Sequence, residues 1–144
     1  MNNKIKSAFE KAMEKVRDIE ISETELLRLE LTPKGQAIAA KFLQERNTDL
    51  EEELRPYQGV ARRLVIEGLQ DILLRNIHPP ANDSVADTNR RAMEGIIAIK
   101  EDKRAVLEIF SEMEYLFQYY TEAVKQTYLN LKEAFSQRTD AAKQ

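Results

Sequence analysis

The chain has no cysteine, no tryptophan, a single histidine, four glycines and four prolines in 144 residues. Without cysteine there can be no disulfide, no thiol nucleophile, no thiolate zinc site and no iron–sulfur cluster. One histidine excludes any centre built on two imidazoles. The glycines are too few for a phosphate-cradling loop, and neither G-x-G-x-x-G nor G-x-x-x-x-G-K-[ST] occurs. Basic charge is also short. Against 25 Asp and Glu stand 22 Lys and Arg, and the net charge of −3 opposes binding to a phosphate backbone. The opening Met1-Asn2-Asn3-Lys4-Ile5-Lys6 is followed by no apolar run of the kind a secretory signal needs. The longest strongly apolar patch, Ile96-Ile97-Ala98-Ile99, falls far below the ~18 residues of a membrane span. Together these absences point to a non-enzymatic cytoplasmic protein with no cofactor or metal, and with neither nucleic acid nor membrane as partner.

What is present is helical periodicity, and the length suits one domain over residues 1–144. Ile5, Ala8, Phe9, Ala12, Met13, Val16 and Ile19 recur at three- and four-residue steps. They predict a helix over 4–18, with Ser7 and Glu10 matching a capping box. Ser22 and Glu25 form another box, with Ile21 and Leu26 placed as a hydrophobic staple, and predict a helix over 23–31. The alternation of Leu27, Leu29 and Leu31 is the competing, extended reading. Thr32-Pro33 reads as N-cap and first residue of a helix over 33–46, in which Ala37, Ala39 and Ala40 allow close approach and Ile38, Phe42 and Leu43 supply bulk. Thr48 and Glu51 open a helix over 49–77, kinked or restarted at Pro56. Its core row is Tyr57, Ala61, Leu64, Val65, Leu69, Ile72, Leu73 and Ile77. The loop His78-Pro79-Pro80-Ala81-Asn82-Asp83 separates it from a helix over 84–99, capped by Asp83 or Ser84. Lys100 to Arg104 is fully charged and reads as a solvated turn of helix or a short break.

The last segment, 101–137, carries the strongest pattern. Val106, Phe110, Met113, Phe117, Tyr120, Val124, Thr127, Leu131 and Ala134 follow alternating steps of four and three, and no Gly or Pro interrupts residues 101–144. Leu107, Ile109, Leu116, Tyr128 and Phe135 widen the apolar face beyond a two-stranded seam, as in a helix with two neighbours in a bundle. Such a helix is about 55 Å long at ~1.5 Å per residue, against roughly 37 Å for the diameter of a compact domain of this size. The expected fold is therefore all-α: an elongated bundle of five or six helices with a long C-terminal helix. Its surplus stripe calls for cover by a second copy or by another protein.

Seven of the ten aromatic residues lie between Phe110 and Phe135. The candidate interaction surface is accordingly Phe110, Met113, Tyr115, Phe117, Tyr119, Tyr120, Val124, Tyr128, Leu131 and Phe135, with homodimerisation the expected use. The bland alternative is packing against a helix of the same chain. His78 has no local carboxylate or nucleophile to work with, and reads as a helix-end residue near the last carbonyls. Glu101, Glu108, Glu112, Glu114, Glu122 and Glu133 recur on the last helix, but no Glu-x-x-His accompanies them, so they read as a solvated face and not as a di-iron site. Arg62-Arg63 and Arg90-Arg91 have acidic neighbours. Leu31-Thr32-Pro33-Lys34-Gly35-Gln36-Ala37 is similar to a phrase that closes the β-wing of winged-helix regulators, but capping chemistry accounts for the same residues.

The opening Ile5-Lys6-Ser7-Ala8-Phe9-Glu10-Lys11-Ala12-Met13-Glu14-Lys15 resembles the start of a family of small uncharacterised bacterial all-helical proteins. Gly35, Ala39-Ala40-Lys41-Phe42-Leu43, Gly68-Leu69 and Leu73-Leu74 extend the likeness over most of the chain, with Gly35 in the first turn of a helix after Thr-Pro as a local departure. That resemblance implies an all-helical fold and no activity, cofactor or site residue. Two roles follow from the sequence: a self-associating interaction or structural protein, or an export-type chaperone that offers an apolar helical groove to a client.

Overall fold

A computed structural model describes residues 5–143, the side chains of residues 19–22 excepted. Among the described residues there is no strand, and the helices are α1 (Ala8–Gln44), α2 (Leu50–Leu54), α3 (Gly59–Arg75), α4 (Asp83–Ile99) and α5 (Lys103–Ala142). The all-α fold with a long C-terminal helix is as the periodicity predicts. The chain divides into two compact units, Met1–Ile72 and Leu73–Gln144, where the sequence reading has one domain.

In the first unit, Ser7 caps α1 as expected: its hydroxyl accepts from the Glu10 amide at 3.2 Å, and its own amide donates to the Glu10 carboxylate at 3.0 Å. The helix then continues for 37 residues. The separate helices expected over 4–18, 23–31 and 33–46 are thus one element, and 23–31 is helical, not extended. Residue 4, and the capping box and staple expected at Ser22 and Ile21, lie outside the described residues. Thr32 is no N-cap. Pro33 sits inside the helix, where it has no N–H to offer the Leu29 carbonyl. The likeness to a β-wing fails for the same reason.

Packing explains why the helix survives its proline. Leu31, Gly35, Ile38, Ala39 and Phe42 form one buried face that runs straight across Pro33. It meets Leu64, Val65, Gly68 and Leu69 of α3, which are also buried. The two backbones nearly touch. A Cβ on Gly35 would stand 1.9 Å from the Val65 carbonyl oxygen, and a Cβ on Gly68 would stand 2.2 Å from the Thr32 carbonyl oxygen. Only glycine fits on either side of this crossing. Burial of the face outweighs one lost rung in the hydrogen-bond ladder, a tertiary override of local propensity.

The helix expected over 49–77 is two helices. Asp49, one residue later than expected, caps α2 by accepting from the amides of Glu51 and Glu52 at 2.9 and 3.4 Å. Pro56 stops the chain from continuing, and Gly59, the first residue of α3, adopts the left-handed φ of +59°. Arg62 on α3 donates to the Leu54 carbonyl at 3.1 Å, which satisfies an end group of α2. An ion pair between Lys41 and Glu53 ties α1 to α2. The hydrogen bond and the charge of Glu53 hold the Lys41 ammonium above its ordinary pKa. The contribution is therefore complete at neutral pH and is lost only as pH climbs through that raised value.

In the second unit, Asn89 is a buried polar side chain on α4. Its amide donates to the His78 carbonyl at 2.7 Å and accepts from the His78 amide at 3.1 Å. This two-way clamp fixes the proline loop by the backbone of His78, and not through the imidazole expected to act at a helix end. Asn82 caps α4 by accepting from the Val85 amide at 2.9 Å. The charged run is a short break. Within it Asp102 accepts from the Ala105 amide at 3.0 Å, and the Lys103 ammonium donates to the last carbonyls of α4, at Ile97 and Ala98. Ala92, Met93 and Ile96 of α4 are buried, as is Phe110 of α5.

Two substitutions test the crossing. Gly68→Ala should lower unfolding free energy by about 1–3 kcal/mol, because the methyl group meets backbone that cannot yield. Pro33→Ala, at an exposed position, should raise it by up to about 3 kcal/mol by restoring a helical donor. Urea titrations followed by circular dichroism measure both, and an unchanged midpoint for Gly68→Ala would contradict the close approach.

Candidate association surface

α4 has 17 residues and α5 has 40, at ~1.5 Å per residue about 26 Å against about 60 Å. A helix cannot cover a neighbour beyond its own end, so α5 has a covered portion and an overhang. The expected surface residues divide accordingly. Phe110 is buried in the core of the second unit and is no part of an open surface; Met113 and Phe117 are half-buried. Tyr115, Tyr119, Tyr120, Val124, Tyr128, Leu131 and Phe135 are exposed, Leu131 to 66% and Phe135 to 75%. Every residue from 118 to 143 is exposed.

The overhang keeps its pattern. Tyr120, Val124, Thr127, Leu131 and Ala134 form the seam, flanked by Thr121, Tyr128 and Phe135 on one side and by Ala123, Asn130 and Gln137 on the other. None of these carries charge. Glu122, Lys125, Lys132 and Glu133 fall on the remaining, outward positions. Thr127 does not spoil the seam, since its hydroxyl donates to the Ala123 carbonyl at 2.9 Å. Thr121 and Thr139 do the same with Phe117 and Phe135, each at 2.9 Å. The surface is therefore apolar, internally satisfied and free of charge along both flanks, properties that suit a helix-on-helix contact.

Beside the covered portion, the loop, the start of α4 and the middle of α5 enclose an open groove of about 720 Å3. Pro80, Ala86, Met93 and Phe117 give it an apolar floor, and Arg90 and Glu122 stand at its sides. Sequence periodicity placed Met93 and Phe117 on core faces without showing that they share a groove, because that depends on where the two helices diverge. The carboxylates of α5 do not converge: among the described residues no group of three or more side chains could hold a metal ion. No helix among them is long and apolar enough to cross a membrane.

A family of unknown function (DUF6657) matches residues 51–144, more than half of the chain, and the chain belongs to it. The match takes in α3, α4 and α5 whole, including Gly68-Leu69 and Leu73-Leu74 of the resemblance noted above. No curated protein and no solved structure matches the chain.

The Asn89 clamp sets the base of the groove. Asn89→Ala, which leaves the His78 amide and carbonyl unpaired, should cost about 1–3 kcal/mol of stability. Hydrogen exchange should show the His78 amide among the most accelerated, and unaltered protection there would refute the clamp.

Proposed function

We propose that this protein is a non-enzymatic helical interaction protein of the cytoplasm that forms a homodimer through the apolar stripe of α5. The observation that carries the reading is the overhang: patterned helix exposed from residue 118 to 143, most of it, from Ala123 onward, past the groove that α4 lines. Uncharged flanks favour a second copy as the cover, since a self-pairing stripe meets its own charges and must not repel itself. Tyr128 and Phe135 are the anchors, large side chains that lose little rotamer freedom on burial. The reading assigns no cofactor, no metal and neither a nucleic-acid nor a membrane partner.

The second reading is an export-type chaperone that holds an apolar client segment. The groove between Met93 and Phe117 favours it, because it offers apolar floor beside the stripe.

Sedimentation equilibrium at micromolar concentration separates the two. The dimer reading expects twice the 16.7 kDa of one chain. Leu131→Asp should weaken association by about two orders of magnitude or more while leaving the helical signal unchanged, since Leu131 is exposed in the single chain. A wild-type monomer at every concentration would overturn the dimer and leave the chaperone reading standing.

A further inference from the structure

The first unit carries its own uncovered apolar row. From Ile5 to Glu30, every described side chain of the segment is exposed, Phe9 to 73% and Leu26 to 61%. The buried face of α1 starts only at Leu31. Seven-residue spacing within α1 puts Phe9, Val16, Glu23 and Glu30 at one seam position, and Ala12, Ile19 and Leu26 at the other. Charge along the same segment is segregated. Residues 4–17 hold five basic and two acidic side chains, whereas residues 18–30 hold one basic and five acidic. The basic half lies at the amino-terminal end of α1, where the helix dipole disfavours cations and where Glu10 is the one acidic residue of the first turn.

A parallel pair of such segments sets like charge on like charge. An antiparallel pair sets the basic half against the acidic half twice over, and brings carboxylates to the positive end of each helix. Antiparallel packing also requires one kind of seam position to face the other. A twofold axis between Arg17 and Asp18 meets this requirement: it places Phe9 opposite Leu26 of the second copy and Ala12 opposite Glu23 of the second copy. The same axis is the midpoint of residues 8–27, so about 30 Å of exposed helix is matched, ending short of Arg28, which pairs with Glu67 of α3 at 2.9 Å.

We propose that residues 8–27 of α1 pair antiparallel with the same segment of a second copy of this chain, about a twofold axis between Arg17 and Asp18. The contact is separate from the α5 stripe and stands or falls apart from it.

The absence of native cysteine makes cross-linking a clean test. Phe9→Cys and Leu26→Cys are combined in the full chain, at positions exposed enough to leave the fold intact. About 25 Å apart along one helix, the two thiols cannot bridge within a chain. Under oxidation the double variant should give a disulfide-linked pair of chains on a non-reducing gel, and either single variant at least about tenfold less. Cross-linking of Phe9→Cys alone at the level of the double variant means parallel pairing and overturns the proposal, as does a double variant that stays monomeric. The same pattern is expected in a Leu131→Asp background, where α5 pairing is removed; disappearance of the cross-link there overturns the claim of a separate contact. A cross-link that persists while Leu131→Asp leaves the sedimented mass unchanged assigns association to α1 and refutes the α5 reading alone.

Discussion

A helix can shield its neighbour only along its own length, and this constraint orders the whole of the second unit. α4 ends before α5 is half covered, so one helix is made to serve as core at one end and as surface at the other. Phe110 and Leu131 stand at equivalent points of the same repeat, yet one is buried and the other exposed. Their difference is not chemical. It depends on whether an opposing helix exists at that height. The first unit shows the same division, since α1 is buried on one face from Leu31 onward and open along the segment before it.

What fixes the covered parts is close backbone approach. At the crossing of α1 and α3, reciprocal glycines let each helix set a carbonyl against the other, which brings flanking Leu31, Ile38, Leu64 and Leu69 into contact range on both sides. Polar anchors do the corresponding work elsewhere: Asn89 on the His78 backbone, Arg62 on the end of α2, Lys103 on the end of α4. Each joins a side chain to a backbone group at a helix end or in a loop.

The all-α class, the start of α1 at Ser7, the loop at Pro79-Pro80 and the length of α5 were all legible from period and capping chemistry. The continuity of α1 was not. Thr32-Pro33 is a sound local start signal, and only the unbroken row Leu31, Gly35, Ile38, Ala39 and Phe42 argued against it. Choosing between them requires knowing that α3 lies across that row. The candidate surface was legible as a stripe but not as a site: period does not distinguish Phe110, in the core, from Leu131, on the overhang. Gly59 was missed as a helix boundary, although Pro56 three residues earlier marked the region.

The corner at Lys103 has a mechanical side. Its ammonium binds the Ile97 and Ala98 carbonyls while the Asp102 carboxylate holds the Ala105 amide, so three polar contacts brace the base of a rod about 60 Å long. A tilt of about 10° there would sweep the far tip by about 10 Å, close to the interaxial distance of packed helices. The corner is thus placed as the fulcrum of a lever, where a small change of angle becomes a large displacement at the tip.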